Sequence, residues 1–157
     1  MTRVVIDTNL LVALVDSRDK WYPHAQKVVT ALGRYQVETM YLDCVLNETI
    51  SVLARRAEEQ KRSESIVHLL HDLRQQVPDT HVIWASLETR RLYVEIVDLV
   101  EQTQGTLNFH DALIALLCRE WNIKFVVSFD KDFDQILWLK RIGKADDIAS
   151  LLTITTF

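Results

Sequence analysis

Glycine and proline are scarce in this chain, at three and two residues of 157. Their scarcity removes most markers of tight turns and flexible joints. Long helices follow as an expectation, within a single domain over residues 1–157 and with no second domain on a linker. Cysteine is equally rare. Cys44 and Cys118 form no Cys-x-x-Cys pair, so neither a disulfide framework nor a zinc site is supported. Both fall in apolar helical runs, where a small buried thiol is the ordinary role. No apolar run reaches the roughly 18 residues of a membrane helix, and the chain opens on a strand pattern instead of a charged leader with an apolar segment behind it. A soluble cytoplasmic protein with no membrane contact is expected. An excess of positive charge is missing too. The net charge is −4, so no global field marks a nucleic-acid binder, although a local cluster of Lys and Arg can hold a polyanion.

What is present is enough apolar material for a core, 48 % against 25 % charged, which argues against disorder. Strand signals are short: Val4–Ile6, Thr39–Leu42, His81–Trp84, Phe125–Phe129 and Leu137–Ile142. Helical periodicity fills the intervals at Thr8–Val15, Tyr22–Leu32, Cys44–Ala57, Glu64–Gln76, Leu87–Thr103 and Phe109–Trp121. In the second of these, Ala25, Val28, Val29 and Leu32 recur at i, i+3, i+4 and i+7. Strands alternating with helices predict an α/β domain with a mostly parallel sheet. Val4–Ile6 is continuously apolar, and Phe125–Phe129 is so apart from Ser128, as strands buried on both faces are. Ligands in such sheets bind beyond the carboxyl ends of the strands, where Asp7 and Asp130 stand.

Each acid has an ordinary reading beside the functional one. Asp7 precedes Thr8, Asn9 and a helix, so it suits an N-cap. In Asn108-Phe109-His110-Asp111, Asn108 suits the cap of a buried helix and Asp111 its N3 position, a variant of the capping box. Ser128-Phe129-Asp130-Lys131-Asp132-Phe133-Asp134 suits a solvated turn, but three like charges within five residues repel one another unless a cation relieves them. Glu48 lies opposite the apolar face formed by Leu46, Ile50, Leu53 and Ala57, and periodicity leaves it on the surface.

Taken together, Val5-Ile6-Asp7-Thr8-Asn9, Asn47-Glu48, His110-Asp111-Ala112 and Ser128-Phe129-Asp130-Lys131-Asp132-Phe133 resemble the four motifs of PIN-domain proteins, over roughly residues 3–142. The resemblance implies a three-layer α/β/α sandwich. It also implies a divalent-metal-dependent endoribonuclease of the VapC-like toxin group, with RNA as substrate and a small antitoxin protein as partner. The apolar faces of Cys44–Ala57 and Glu64–Gln76 are expected to form a homodimer or an antitoxin groove. It makes Asp7, Glu48, Asp111 and Asp130 the catalytic, metal-binding acids, with Asp132 as an auxiliary ligand. Glu48 owes its place wholly to the resemblance. Oxygen donors suit Mg²⁺ or Mn²⁺. Thr8, Asn9 and Ser128 are expected to orient the first acid. His110 adjoins Asp111, as a substrate contact or a structural residue at the helix entrance. The pairs Arg55-Arg56, Lys61-Arg62, Arg90-Arg91 and Lys140-Arg141, with Lys144, are candidate phosphate contacts, and most read as solvated helix faces. Trp21, Tyr22 and Trp138 are candidates for base stacking or for packing. The stretch Glu58–Asp79 and the tail Ala145–Phe157 go beyond the compact toxins of the family. The competing reading is a non-catalytic RNA-binding or regulatory module on the same fold.

Overall fold

The computed structural model describes the backbone through residue 152 and side chains through residue 150. Five strands, β1 (Arg3–Ile6), β2 (Glu38–Leu42), β3 (Val82–Ile83), β4 (Phe125–Val127) and β5 (Lys140–Ile142), form one sheet in the order β3-β2-β1-β4-β5. Every pairing is parallel, with Val5 opposite both Met40 and Val126. Parallel neighbours need crossovers, and crossovers are right-handed. From β1 to β3 the chain steps one way through α1 (Thr8–Val15), α2 (Tyr22–Arg34), α3 (Asp43–Glu59) and α4 (Ile66–Gln76). It then travels back past β1 through α5 (Ser86–Arg91), α6 (Tyr93–Gln102) and α7 (Phe109–Glu120) to reach β4. Opposite travel with one hand puts the two helix groups on opposite faces. The packing agrees: α1 meets α2, α3 and α4, whereas α6 meets α7. This is the three-layer α/β/α arrangement expected from the motifs, with a wholly parallel sheet.

The core explains the apolar runs. Val4, Val5, Ile6, Val126 and Val127 are buried, as is α7 from Asp111 through Cys118. A wet face on α7 is not needed, because it lies between the sheet and α6. Cys118 is buried and Cys44 half-exposed, both as free thiols, and burial pushes each thiol up to about 12. Among the described residues no helix is long and apolar enough to cross a membrane.

Several boundaries differ from the sequence expectation. β3 is only Val82–Ile83. β4 ends at Val127; Ser128 N–H still donates to Ile142 O of β5, and its side chain bonds to Asp7. Leu137–Ile142 is strand only from Lys140; the residues before it form a turn, closed by Leu139 N–H donating to Ile136 O, which leaves Leu137 in solvent. Leu87–Thr103 is two helices, broken at Leu92, whose ψ is 2°. The break is silent in the sequence because Ala85, Leu92, Ile96 and Leu99 keep helical spacing across it and are all buried. The tail begins as α8 (Ala145–Leu152), which packs on α2 with Ile148 buried. The Asp147 carboxylate accepts the N–H groups of Gly143 and Lys144 there. The remainder of Ala145–Phe157 lies outside the described residues.

One ion pair sits inside the helical layer. Arg62 donates to both carboxylate oxygens of Asp16, the shorter bond 2.6 Å, and both residues are buried. Burial opposes the Asp16 charge, but the Arg62 hydrogen bond, the Arg18 backbone N–H and the charges of Arg62 and Arg56 together outweigh it and hold the carboxyl below its ordinary range. Removing one partner strands the other charge. Arg62→Met is expected to destabilise the fold by about 3–5 kcal/mol in denaturant unfolding. The double variant Arg62→Met, Asp16→Leu is expected to recover most of that loss, since the pair is replaced by apolar contact.

Candidate active site

The direction of the chain along the sheet reverses between β1 and β4, so a crevice opens beyond their carboxyl ends. Asp7 leaves β1 there. Its Oδ1 accepts Thr8 N–H at 2.7 Å and so caps α1. Its Oδ2 accepts the Ser128 hydroxyl at 2.6 Å and the Asn9 amide at 2.9 Å. Asn9 also donates to Ser128 Oγ and accepts Phe129 N–H, while Ser128 Oγ accepts Asp130 N–H. One buried network thus ties the exit of β1 to the exit of β4. Capping and site membership are both true of Asp7.

The other acids reach the crevice from three elements. Glu48 comes from α3, where its Oε2 accepts the Thr8 hydroxyl at 3.2 Å and lies 3.3 Å from His110 Nδ1. It is half-buried, because Thr8 and His110 come over that side of α3. Asp111 is buried at the head of α7 in a complete capping box with Asn108. Asp130 caps the short 3-10 helix Lys131–Gln135 by accepting Asp132 N–H. Asp7, Glu48, Asp111 and Asp130 line one open cavity of about 520 Å³, together with Thr8, Asn9 and Asn108. Asp132 is exposed and is not part of that lining.

The opposite wall was foreseen only in Trp21, Arg56 and Arg62. Asp16, Arg18, Asp19, Lys20 and Trp21, from the loop between α1 and α2, line the cavity with Arg56 and Arg62. Of the anticipated basic pairs, Arg56 and Arg62 arrive here, but each is joined to an acid, Asp19 and Asp16. Arg91 and Arg141 are joined to Glu120 and Asp134 elsewhere. Trp138 donates to Ala115 O and lies against Arg119, as a packing residue. The available signal for the second wall was the run Asp16-Ser17-Arg18-Asp19-Lys20-Trp21 directly after a helix that starts at Asp7.

Burial and crowding raise the affinity of Asp7 and Asp111 for protons. Burial pushes Asp7 up to about 7; the Ser128 and Thr8 bonds pull against it, and the charges of Asp111 and Glu48 add to it. Asp111 is pushed up to about 6, first by burial, then by Asp130 and Glu48, with the Asn108 bond and His110 opposing. The donor set is entirely oxygen and short of positive charge, which fits a hard divalent cation. Among the described residues no three Asp, Glu, His or Cys side chains are gathered at single-ion distance. Mg²⁺ needs fewer, since it retains waters and takes one or two carboxylates.

The raised acids set a pH dependence. Folded Asp7 keeps a proton that the unfolded chain has released between its ordinary value of 3.8 and about 7. Its contribution to stability is therefore complete below about pH 4 and is lost as pH rises to about 7. In EDTA, Asp7→Asn is expected to gain stability relative to wild type across that interval, on the order of 2–4 kcal/mol. Chemical denaturation at pH 4, 5.5 and 7.5 checks this; a difference independent of pH would refute it.

Residues 4–139 match the family model of the PIN domain. Among solved structures, the chain is similar to VapC20 of Mycobacterium tuberculosis, a toxin that cleaves the sarcin-ricin loop. The identity is 19 % and the TM-score 0.63, over 83 % of this chain and 92 % of that one. It is also similar to VapBC2 of Rickettsia felis, solved bound to a DNA fragment from their promoter. There the identity is 18 % and the TM-score 0.65, over 91 % of this chain and 99 % of that one. At such identities the likeness is one of fold. Comparison with curated proteins by sequence gives no match. The matched segment runs from β1 to the turn before β5 and carries Asp7, Glu48, Asp111 and Asp130: the chain belongs to the PIN-domain family.

Proposed function

We propose that this PIN-domain chain is a divalent-metal-dependent endoribonuclease, acting as the toxin of a toxin–antitoxin pair. The observation that carries the reading is the convergence of Asp7, Glu48, Asp111 and Asp130, from four separate elements, on one cavity at the switch point of the sheet. A structural role alone does not account for Glu48, which caps nothing and lies in the cavity wall. When bound, Mg²⁺ or Mn²⁺ would polarise the phosphodiester and activate a water. Asp7, Asp111 and Asp130 are the residues to hold it, with Glu48 as a further ligand or as the group that orients the water. Ser128 and Asn9 fix the Asp7 carboxylate, and Thr8 does the same for Glu48. His110 lies beside Glu48 and orients it from the other side.

A protein partner fits the reading. Asp43, Cys44, Leu46 and Ile50 of α3, Leu73 and Val77 at the end of α4, and Val82 and Trp84 line an apolar groove of about 940 Å³. Trp84 is 74 % exposed. Two of the structural relatives are VapC20, a toxin, and VapBC2. On this proposal a small antitoxin protein covers the groove. The homodimer expected from the sequence is tested by light scattering, where a monomer at micromolar concentration counts against it.

Cleavage of a mixed RNA pool with Mg²⁺ or Mn²⁺ is expected for wild type and is expected to vanish in EDTA. Asp7→Asn and Asp111→Asn are each expected to lower the rate at least about 100-fold, since groups that only orient a metal ligand already cost 10–100-fold. Ser128→Ala is such a group and is expected to weaken metal binding roughly 10–100-fold in calorimetry while leaving the chain folded. RNA bound without cleavage under any metal would favour the non-catalytic module. Cleavage unaffected by the two Asp variants would refute the site.

A further inference from the structure

We propose that Trp21 is a nucleobase-stacking platform beside the acidic site, with Arg18 and Lys20 receiving the adjoining phosphates of single-stranded RNA. The inference rests on the ribonuclease reading and says how the strand is held. The Trp21 indole lies on the Phe129 ring, with centroids 5.0 Å apart and planes 19° from parallel. His24 meets the indole edge-on at 5.6 Å. Phe129 is the residue before Asp130, so the stack stands next to a cavity acid. Yet Trp21 is 41 % exposed and lines the same cavity. A large aromatic backed on one side by a second ring and opening into a polar cleft is the arrangement on which bases stack.

The loop that carries it is held in place before any strand arrives. Asp19 Oδ1 accepts Trp21 N–H at 2.8 Å, and its Oδ2 accepts Arg56 of α3 at 2.6 Å. Asp16, at the start of the loop, is clamped by buried Arg62. Ordering these residues therefore adds little to the entropic cost of binding. These two pairs consume the charges of Arg56 and Arg62. Arg18 and Lys20 differ: both are exposed and line the cavity, and among the described residues neither side chain is paired with a carboxylate, the Arg18 bond to Asp16 being from its backbone N–H. The Lys20 ammonium lies 5.8 Å from the centre of the Trp21 ring. The acids on one wall and an aromatic flanked by free cations on the other give a strand a phosphate at the acids and a base on the indole.

The test measures binding of short single-stranded RNAs, carrying 2-aminopurine at successive positions, to an Asp111→Asn parent that does not cleave them. The parent is expected to quench the probe at one or two positions. Trp21→Leu, which keeps apolar bulk on Phe129, is expected to abolish that quenching and weaken binding about 10-fold, the order of one lost stack. Trp21→Tyr is expected to restore both. Arg18→Gln and Lys20→Gln are each expected to lower the salt dependence of binding by about one phosphate contact, whereas Trp21→Leu leaves it unchanged. Thermal melts establish that each variant is folded. RNA bound and quenched equally by Trp21→Leu would overturn the platform and leave the ribonuclease reading intact. A parent that binds no RNA would overturn both.

Discussion

The hydrogen bond from Ser128 to Asp7 is the contact on which the rest of the site depends. A carboxylate at the end of a buried strand is costly unless its lone pairs are met. Here Ser128, Asn9 and the Thr8 N–H meet them. The same atoms lock β1 to β4 at the edge where the crevice opens, because Ser128 Oγ also receives Asp130 N–H and Asn9 receives Phe129 N–H. Position and charge are thus fixed together. Moving Asp7 would unmake the register of two strands.

The site joins a buried acidic wall to a half-exposed mixed wall. On the first, desolvation and mutual repulsion raise the proton affinity of Asp7 and Asp111. On the second, Asp16–Arg62 and Asp19–Arg56 are closed pairs that add rigidity and little net field. A chain of net charge −4 can still receive a polyanion under this division, because the electrostatics that matter act within a Debye length, about 8–10 Å in ordinary salt. Arg18 and Lys20 supply that local field without altering the overall balance.

Capping and a place on the cavity wall coincide in this chain. Asp7, Asp111 and Asp130 each satisfy backbone N–H groups at the start of a helical turn, and each faces the cavity. A helix N-terminus is where an acid is stabilised by unpaired N–H groups. Placing site acids there lets backbone dipoles offset part of the repulsion among them. Glu48 lacks that support and is held by side chains from α1 and α7 instead.

The sequence by itself determined the α/β class, the order of strands and helices, and the strand-end acids Asp7 and Asp130. Continuous apolar runs, helical spacing and punctuation by Asp and Asn are local signals, and the capping box at Asn108 and Asp111 is legible for the same reason. Glu48 was legible only through its resemblance to a family motif, since periodicity put it on the wet face of α3 and only α1 and α7 make that face a cavity wall. The sequence offered Trp21, Arg56 and Arg62 of the second wall as candidates, and tertiary structure decided that they meet there. Asp16 and Asp19 follow no periodic pattern, and their partners Arg62 and Arg56 stand 46 and 37 residues away. The break at Leu92 and the seating of α8 on α2 belong to the same class. Local propensity records what a residue does to its own turn of chain, whereas burial, ion pairing and the shape of a cleft depend on which distant surfaces the right-handed crossovers bring together.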